Sequence, residues 1–549
     1  MHVSAQSAPS PQPETFVPGS PNVPSPEIAA FLDLPNHAPT RQGFLQSLSQ
    51  IDPAAPRSDA LTQALILALS ARNLDMRPAQ EFVQHALFYE VSADDAQARV
   101  SLPPSTVSLI TAFLYHRCND SLNLEPALID LRAGLLGFAQ TGAAPGEDQI
   151  ALAEALARHS FTNEYIWEVT ETEQAQIDQL TQALSQTIES GGNVSAFALF
   201  LVGAHQPLDT IPALRNWVLG LARQDVTAVP DTLRLMVLDR LIEDDIAIDT
   251  LTPIQSETSA KVRAQYEENP YPRWRHLPTP TPCDSVETYV AAMLDQPPVS
   301  TANTSFNPKV LIAGAGTGQH PIFVAQNLPT AAVLAVDLSR ASLAYGIREA
   351  AMRDVKNIAF GQGDILQLTG VEQEFDLIES MGVLHHMQDP ERGLQALVQA
   401  LKPGGYLRLG LYSETARRAV TSARQRFATG AYGDDLASIR QFRRDLLDAQ
   451  EEHAVPLWAF NDFYKTSEFR DLAMHVQEHQ FTLPALKSLL KRNGLTFLGF
   501  SNPSATAALT KMPASQAKRR RRDFQAWERF EKRNPDAFAN MYQFFCVKN

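Results

Sequence analysis

The sequence predicts an α/β domain with a largely parallel sheet, preceded by an all-helical domain. Two observations predict the α/β part. Short apolar runs alternate with helical patterns from Lys309 to Leu409, and the first run feeds the glycine-rich bend Gly314-Ala-Gly-Thr-Gly318. A third observation predicts the helical part. From Glu27 to about Ile248 apolar residues recur at i, i+3, i+4 and i+7, as in Asp59–Leu69 and Gln149–Ala157.

The first run, Lys309 to Ala313, reads as a buried strand, and Pro321 to Asn327 as the helix after the bend. Strand, glycine turn and helix form the place where an α/β sheet holds a nucleotide-like ligand. Glycines let backbone approach the ligand closely, because no Cβ intervenes. A dinucleotide fold asks for G-x-G-x-x-G, whereas here Gly318 is followed by Gln319 and His320, so the pattern is G-x-G-x-G. A plain tight turn is the alternative for the bend taken alone. The second run, Ala332 to Val336, ends in Asp337, roughly 20 residues after the glycines, where a carboxylate can accept both ribose hydroxyls. A helix N-cap is the other reading of Asp337. Ile358 to Phe360 is the third strand, closed by Gly361-Gln-Gly-Asp-Ile365, and Phe375 to Ile378 is the fourth. Leu401 to Leu409 is a helix stop, a turn and the fifth strand.

Past it, residues 414–480 read as an insertion, helical and polar, then aromatic around Leu457 to Tyr464. A helix with a glycine stop (Phe481 to Gly494), a strand (Leu495 to Phe500), a helix (Asp523 to Arg533) and a last strand (Met541 to Val547) close the chain. The expected divisions are a disordered tail at 1–25, rich in Ser, Pro and Ala, and a helical domain at 26–250. A linker or lid follows at 251–305, and the α/β domain occupies 306–549.

This order of runs resembles class I S-adenosylmethionine (SAM)-dependent methyltransferases, with a Rossmann-like seven-stranded sheet. The resemblance implies SAM as cofactor. It implies cofactor contacts from Gly314, Ala315, Gly316, Gly318, Asp337, Leu338, Asp364, Ile365, Ser380 and Met381, with Asp364 on the adenine amino group and Ile365 against the ring. The segment Leu156 to Tyr165 resembles a helical region of some bacterial multidomain methyltransferases, some of which carry tetratricopeptide repeats; no fixed repeat period is evident here. Their Asn-Pro-Tyr-Pro-Arg-Trp string is similar to Asn269–Trp274. That stretch reads either as a lid placing Tyr271, Arg273 or Trp274 over cofactor or substrate, or as a rigid linker whose aromatics plug a seam. One departure stands out. Many class I enzymes carry an acidic residue two positions before the first glycine, to hold the methionine ammonium, and here that position is Ile312, so either another group, as from Tyr266–Trp274, takes over or SAM binding is weaker.

His385 and His386 follow the fourth strand and are candidate general bases, not distinguishable from each other. A loop-capping role is their alternative. Tyr464 and His475 are candidate substrate contacts in the insertion, which in the family commonly builds the acceptor pocket. His475-Val-Gln-Glu-His479 matches the inverted zinc-protease motif H-x-x-E-H, which on a helix would put both histidines on one face. No third ligand is identifiable, so no metal is expected, and Arg470, Asp471, His475 and Glu478 read instead as a polar wall or a solvated face. Lys518–Arg522 reads as a solvated loop rather than an anion site.

Charged residues at 19% and hydrophobic ones at 44% indicate a globular chain. A net charge of −15 disfavours nucleic acid and anionic membrane as partners. Three distant cysteines suggest neither a disulfide framework nor a zinc site, in keeping with a cytoplasmic protein, and no signal peptide is evident. The expected function is methyl transfer to a small molecule or a protein side chain, with a protein partner open to the helical domain. The alternative is a catalytically degenerate scaffold acting through that domain.

Overall fold

The computed structural model describes residues 25–70, 77–91, 101–275, 277–297, 306–368, 372–428, 430–449, 457–539 and 541–549. The tail expected to be disordered lies, apart from Ser25, outside the described residues. Seven strands form one sheet in the order β3-β2-β1-β4-β5-β7-β6. They are β1 (Lys309–Ala313), β2 (Ala332–Asp337), β3 (Ile358–Gln362), β4 (Phe375–Met381), β5 (Leu401–Leu411), β6 (Leu495–Phe500) and β7 (Tyr542–Lys548). β1 to β5 pair in parallel, while β7 runs antiparallel between β5 and β6. Parallel strands covered on both faces read as continuous apolar runs, as the buried stretches Val310–Ala313 and Phe375–Ser380 do. Because β1 has β2 on one side and β4 on the other, the strand order reverses there, and a crevice opens beyond their carboxyl ends.

Helices fill the described residues before the sheet, from Pro26–Asp33 to Asp239–Asp245, over one apolar core. The insertion packs into that same core. Val420, Phe442, Leu446, Phe463, Phe469 and Met474 share a cluster with Phe113, Leu128 and Trp167. Polar contacts lock the join. Arg443 donates to both carboxylate oxygens of Glu125 at 2.7 and 2.9 Å, and the Ser467 hydroxyl donates to Glu164 at 2.9 Å. The helical half thereby carries a wall, formed by the insertion, over the open end of the sheet.

Residues 251–275 and 277–297 are partly helical and wrap the sheet edge. Leu251 N–H donates to the Gln362 carbonyl at 2.7 Å, extending β3, and helix Glu257–Glu268 follows. Lys518–Arg522 departs from expectation: Ala514–Arg521 is a helix, and Arg521 is buried, donating to the carbonyls of Leu294 and Asp295. A guanidinium with two carbonyls in reach is more stable inside than its charge alone suggests. Among the described residues no helix is long and apolar enough to cross a membrane.

Candidate functional site

The glycine bend is held from two directions. Gly316 has φ +50°, and a Cβ there would stand 2.8 Å from the Tyr271 carbonyl oxygen. Gly318, at φ +85°, caps the next helix with its Cα against Gly346. Only glycine tolerates both the conformation and the approach. Residues 271–274 clamp this backbone. Thr317 N–H donates to the Tyr271 carbonyl at 3.3 Å, the Thr317 hydroxyl to the Pro272 carbonyl, and Trp274 Nε1–H to the Thr317 carbonyl at 3.0 Å.

A cavity of about 260 Å³ lies over the carboxyl ends of β1, β2 and β4. Gly314, Ala315, Gly316, Asp337, Leu338, Asp364, Ile365 and Met381 line it, so both acidic residues border one hollow. Asp337 accepts from Gly316 N–H at 2.8 Å and from Ser339 N–H at 2.9 Å. The helix N-cap is Ser339, not Asp337. Burial raises the Asp337 carboxyl, against the pull of those N–H groups. Asp364 accepts from Leu366 N–H through Oδ1 at 2.9 Å, while its buried Oδ2 has no partner. An unpaired buried oxygen is costly. A donor from a bound ligand or a water would satisfy it.

Two cofactor candidates stand back from the cavity. Gly318 lies under the bend as a helix cap, and Ser380 is buried in β4 behind Met381. Of the clamp residues, Tyr271 lines the cavity, but Arg273 and Trp274 do not. The Arg273 guanidinium pairs with Glu164 at 3.1 Å, and Trp274 is buried against Tyr345. Arg273 thus reaches the helical half, whereas Trp274 packs with Ile322 and Ala350 of the α/β half. Tyr464 also departs from a substrate contact: it is buried, its hydroxyl donating to the Trp458 carbonyl at 2.9 Å inside the helical core.

The acceptor side holds the histidines, and the structure separates them. His385 is fully buried beneath Tyr412, ring centroids 3.7 Å apart, with neither nitrogen bonded. His386 lines the cavity. Its Nδ1 meets the Gln477 carbonyl at 2.8 Å, and because a carbonyl only accepts, Nδ1 carries the proton and Nε2 a lone pair. Burial lowers His386 to about 4, so the ring is neutral near pH 7. Asp471 faces the same hollow, accepting from the Tyr266 hydroxyl at 2.5 Å, and burial pushes its carboxyl up to about 6.

His475 stacks on His386 at 3.6 Å. The helix expected to carry H-x-x-E-H ends at Met474, and His475 is already extended, so the zinc-protease geometry is absent. His386, Asp471 and His475 do form one cluster whose ligand atoms lie within 4.8 Å of one another. Two facts weigh against an ion there. Near-parallel rings at 3.6 Å do not aim two lone pairs at one point, and Gln477 N–H donates to His475 Nδ1 at 3.2 Å, which leaves the proton on Nε2 of the neutral ring.

Sequence reasoning missed the wall contributed by Ser259 and Val262 of helix Glu257–Glu268, and it missed Tyr412 and Met541. Nothing local marks these residues, since they reach the cavity only through packing of distant segments.

Residues 310–405 match the family model of a methyltransferase domain. The chain is 33% identical over 207 residues to an uncharacterized protein of Synechococcus, covering 36% of this chain and 49% of that one. It is 35% identical over 124 residues to trans-aconitate 2-methyltransferase of Deinococcus radiodurans, covering 22% and 45%. The chain thus spans about half the length of these curated relatives. Among solved structures, PKMT2 of Rickettsia typhi in complex with AdoHcy aligns over 49% of this chain and 54% of that one, with 19% identity and a TM-score of 0.34. Residues 310–405 thus carry the sequence of a methyltransferase domain.

Proposed function

We propose that the protein transfers a methyl group from SAM to an acceptor bound between the sheet and the insertion. One observation carries this reading: the Gly314–Gly316 bend, Asp337 and Asp364 converge on a single cavity, and Asp364 Oδ2 waits there without a donor. These residues suit an adenosyl group. Asp337 would take the ribose hydroxyls, Asp364 Oδ2 the adenine amino group, and Ile365 and Leu338 the faces of the ring. When bound, SAM supplies a methyl group already activated by its sulfonium.

The protein's own task is then to align the acceptor and exclude water. Tyr271, Tyr412 and Met541 enclose the acceptor side. His386 Nε2 is the group placed to take the proton of a hydroxyl or ammonium acceptor, with Nδ1–H anchored on Gln477 so that the lone pair keeps its direction. Both acceptor classes, small molecule and protein side chain, belong to the proposal. So does a cytoplasmic setting, supported by three free cysteines, one of them buried in β7.

Calorimetric titration with SAM and S-adenosylhomocysteine tests the cofactor. Binding of either supports the reading, and neither heat nor a thermal shift with both would remove it. Incubating labelled SAM and the protein with cell extract then assigns the acceptor, by label in macromolecules or in small metabolites.

A further inference from the structure

Ile312 leaves a chemical gap. The methionine end of SAM carries an ammonium, whose N–H groups need acceptors, and Ile312 has none to offer. The sheet register shows where an acceptor has moved. Ile312 pairs with Glu379 across β1 and β4. Paired residues of neighbouring strands share a face, and Leu377, two positions before Glu379, sits in one apolar cluster with Ile312. Glu379 therefore puts a carboxylate on the face where Ile312 puts a butyl group, and it is 0% exposed.

Glu379 is not alone there. It accepts from the Arg408 guanidinium at 3.1 Å and meets His320 Nε2 at 2.5 Å. Burial alone would raise its carboxyl, but Arg408 and His320 hold it down to about 2, so it is ionised and only accepts. Hence Nε2 of His320 bears a proton, and in the neutral ring Nδ1 keeps a lone pair. His320 is the second residue of helix Gln319–Asn327, directly after the glycine bend. Its side chain is 24% exposed and lines the cavity with Gln319, Gly314, Met381 and Gly382, beside the sheet ends rather than at Asp364. A buried ion pair adds little to stability compared with apolar packing of the same volume. Such packing is what Ile312 achieves one strand away. The polar group at 379 calls for a different reason.

We propose that His320, oriented by Glu379, accepts the methionine ammonium of SAM and replaces the acidic residue absent at Ile312. The assignment rests on the cofactor reading above. His320 is the contact and Glu379 the positioning residue, fixing the tautomer from behind the ring, as carboxylates do behind metal-bound histidines.

The test compares two ligands on the full chain by calorimetry. S-adenosylhomocysteine has the amino-acid end, whereas 5′-methylthioadenosine lacks it and reports the adenosine site and the fold. His320→Ala is expected to weaken the first about 10- to 100-fold, the range for a hydrogen bond to a charged group, and to leave the second within about twofold. His320→Gln, whose amide can both donate to Glu379 and accept, is expected to recover part of the loss. Glu379→Gln is expected to lower the affinity ratio in the same direction. His320→Arg is expected to weaken the first ligand as Ala does; tighter binding would mean that position 320 meets the carboxylate, and would overturn the assignment. Equal loss for both ligands, or an unchanged ratio with a lower melting temperature, would make the pair structural. A parent chain that binds neither nucleoside overturns the cofactor reading itself. A parent that binds both while His320→Ala keeps the ratio overturns only the role of His320.

Discussion

The imidazoles of His386 and His475 stack with centroids 3.6 Å apart and planes 23° from parallel, each held by a different atom of Gln477. His386 gives its Nδ1 proton to the Gln477 carbonyl, while His475 Nδ1 receives the Gln477 N–H. Two chemically identical rings are thus fixed in opposite tautomers by one residue. Only His386 is left with a lone pair on Nε2.

His386→Ala should therefore lower kcat by about 10²- to 10⁴-fold, the usual span for a general base, while S-adenosylhomocysteine binds as before. His385→Ala should act differently. Its ring is buried under Tyr412 and touches no ligand surface, so its loss should appear as a lower melting temperature. Steady-state kinetics and thermal melts on the two variants check this pair, and equal kcat losses would refute the assignment.

The same tautomers bear on metals. Chelation by EDTA should leave activity unchanged, and elemental analysis of purified protein should find no stoichiometric zinc, iron or manganese. The ligand atoms of His386, Asp471 and His475 are close enough for an ion, but a stacked pair with one Nδ1 occupied as an acceptor does not present two converging lone pairs. One equivalent of metal that chelation removes together with activity would contradict this.

Asp364 offers a test in which specificity changes direction. Its free Oδ2 suits the amino group of adenine and repels the carbonyl of hypoxanthine. S-inosylhomocysteine should bind the parent about 10- to 100-fold more weakly than S-adenosylhomocysteine. Asp364→Asn, able to present N–H instead, should narrow or invert that ratio. Calorimetry with both nucleosides reads it, and an unchanged ratio would place adenine elsewhere.

The legible part of this molecule was the part whose chemistry is local. A glycine bend after a buried strand, and carboxylates at the ends of the next two, announce themselves within a few residues of sequence, and the parallel strands follow from apolar runs alternating with helical ones. His385 and His386 were visible as a pair but inseparable, since what separates them is Gln477, some 90 positions later. Tyr412, Tyr266 and Asp471 meet at one cavity from three distant segments, Asp471 arriving on a helix whose neighbours Phe469 and Met474 pack into the helical core. Arg273 and Trp274 misled for a related reason. A string of aromatic and basic residues signals contact without saying which side it faces, and here the glycine backbone uses up the Trp274 N–H.

Gly316 makes that contact testable. Gly316→Ala forces a methyl group to within 2.8 Å of the Tyr271 carbonyl, a backbone atom that cannot rotate away, at φ +50°. The conformation alone costs about 1–2 kcal/mol, before the clash. The melting temperature should fall, and S-adenosylhomocysteine affinity with it, since the bend and Tyr271 line the same cavity. A fully stable variant with parental affinity would show that residues 271–274 do not hold the bend.

Asp471 supplies a pH signature whose sign is fixed by linkage. Burial lifts its carboxyl from the ordinary 3.8 to about 6, although the Tyr266 hydroxyl and Arg417 pull the other way. Between these values the folded chain holds a proton that the unfolded chain has released. The Asp471 contribution to stability is therefore fully present below about pH 4 and declines as pH rises to about 6, then stays flat. Asn at this position does not titrate. Chemical denaturation of the parent and of Asp471→Asn at pH 4.5 and pH 7.5 should show the variant gaining stability relative to the parent at the higher pH, whatever its absolute offset from the altered Tyr266 bond. The opposite slope would mean that Arg417 and Arg424, rather than burial, govern this carboxylate, and that it stands ionised in the cavity wall.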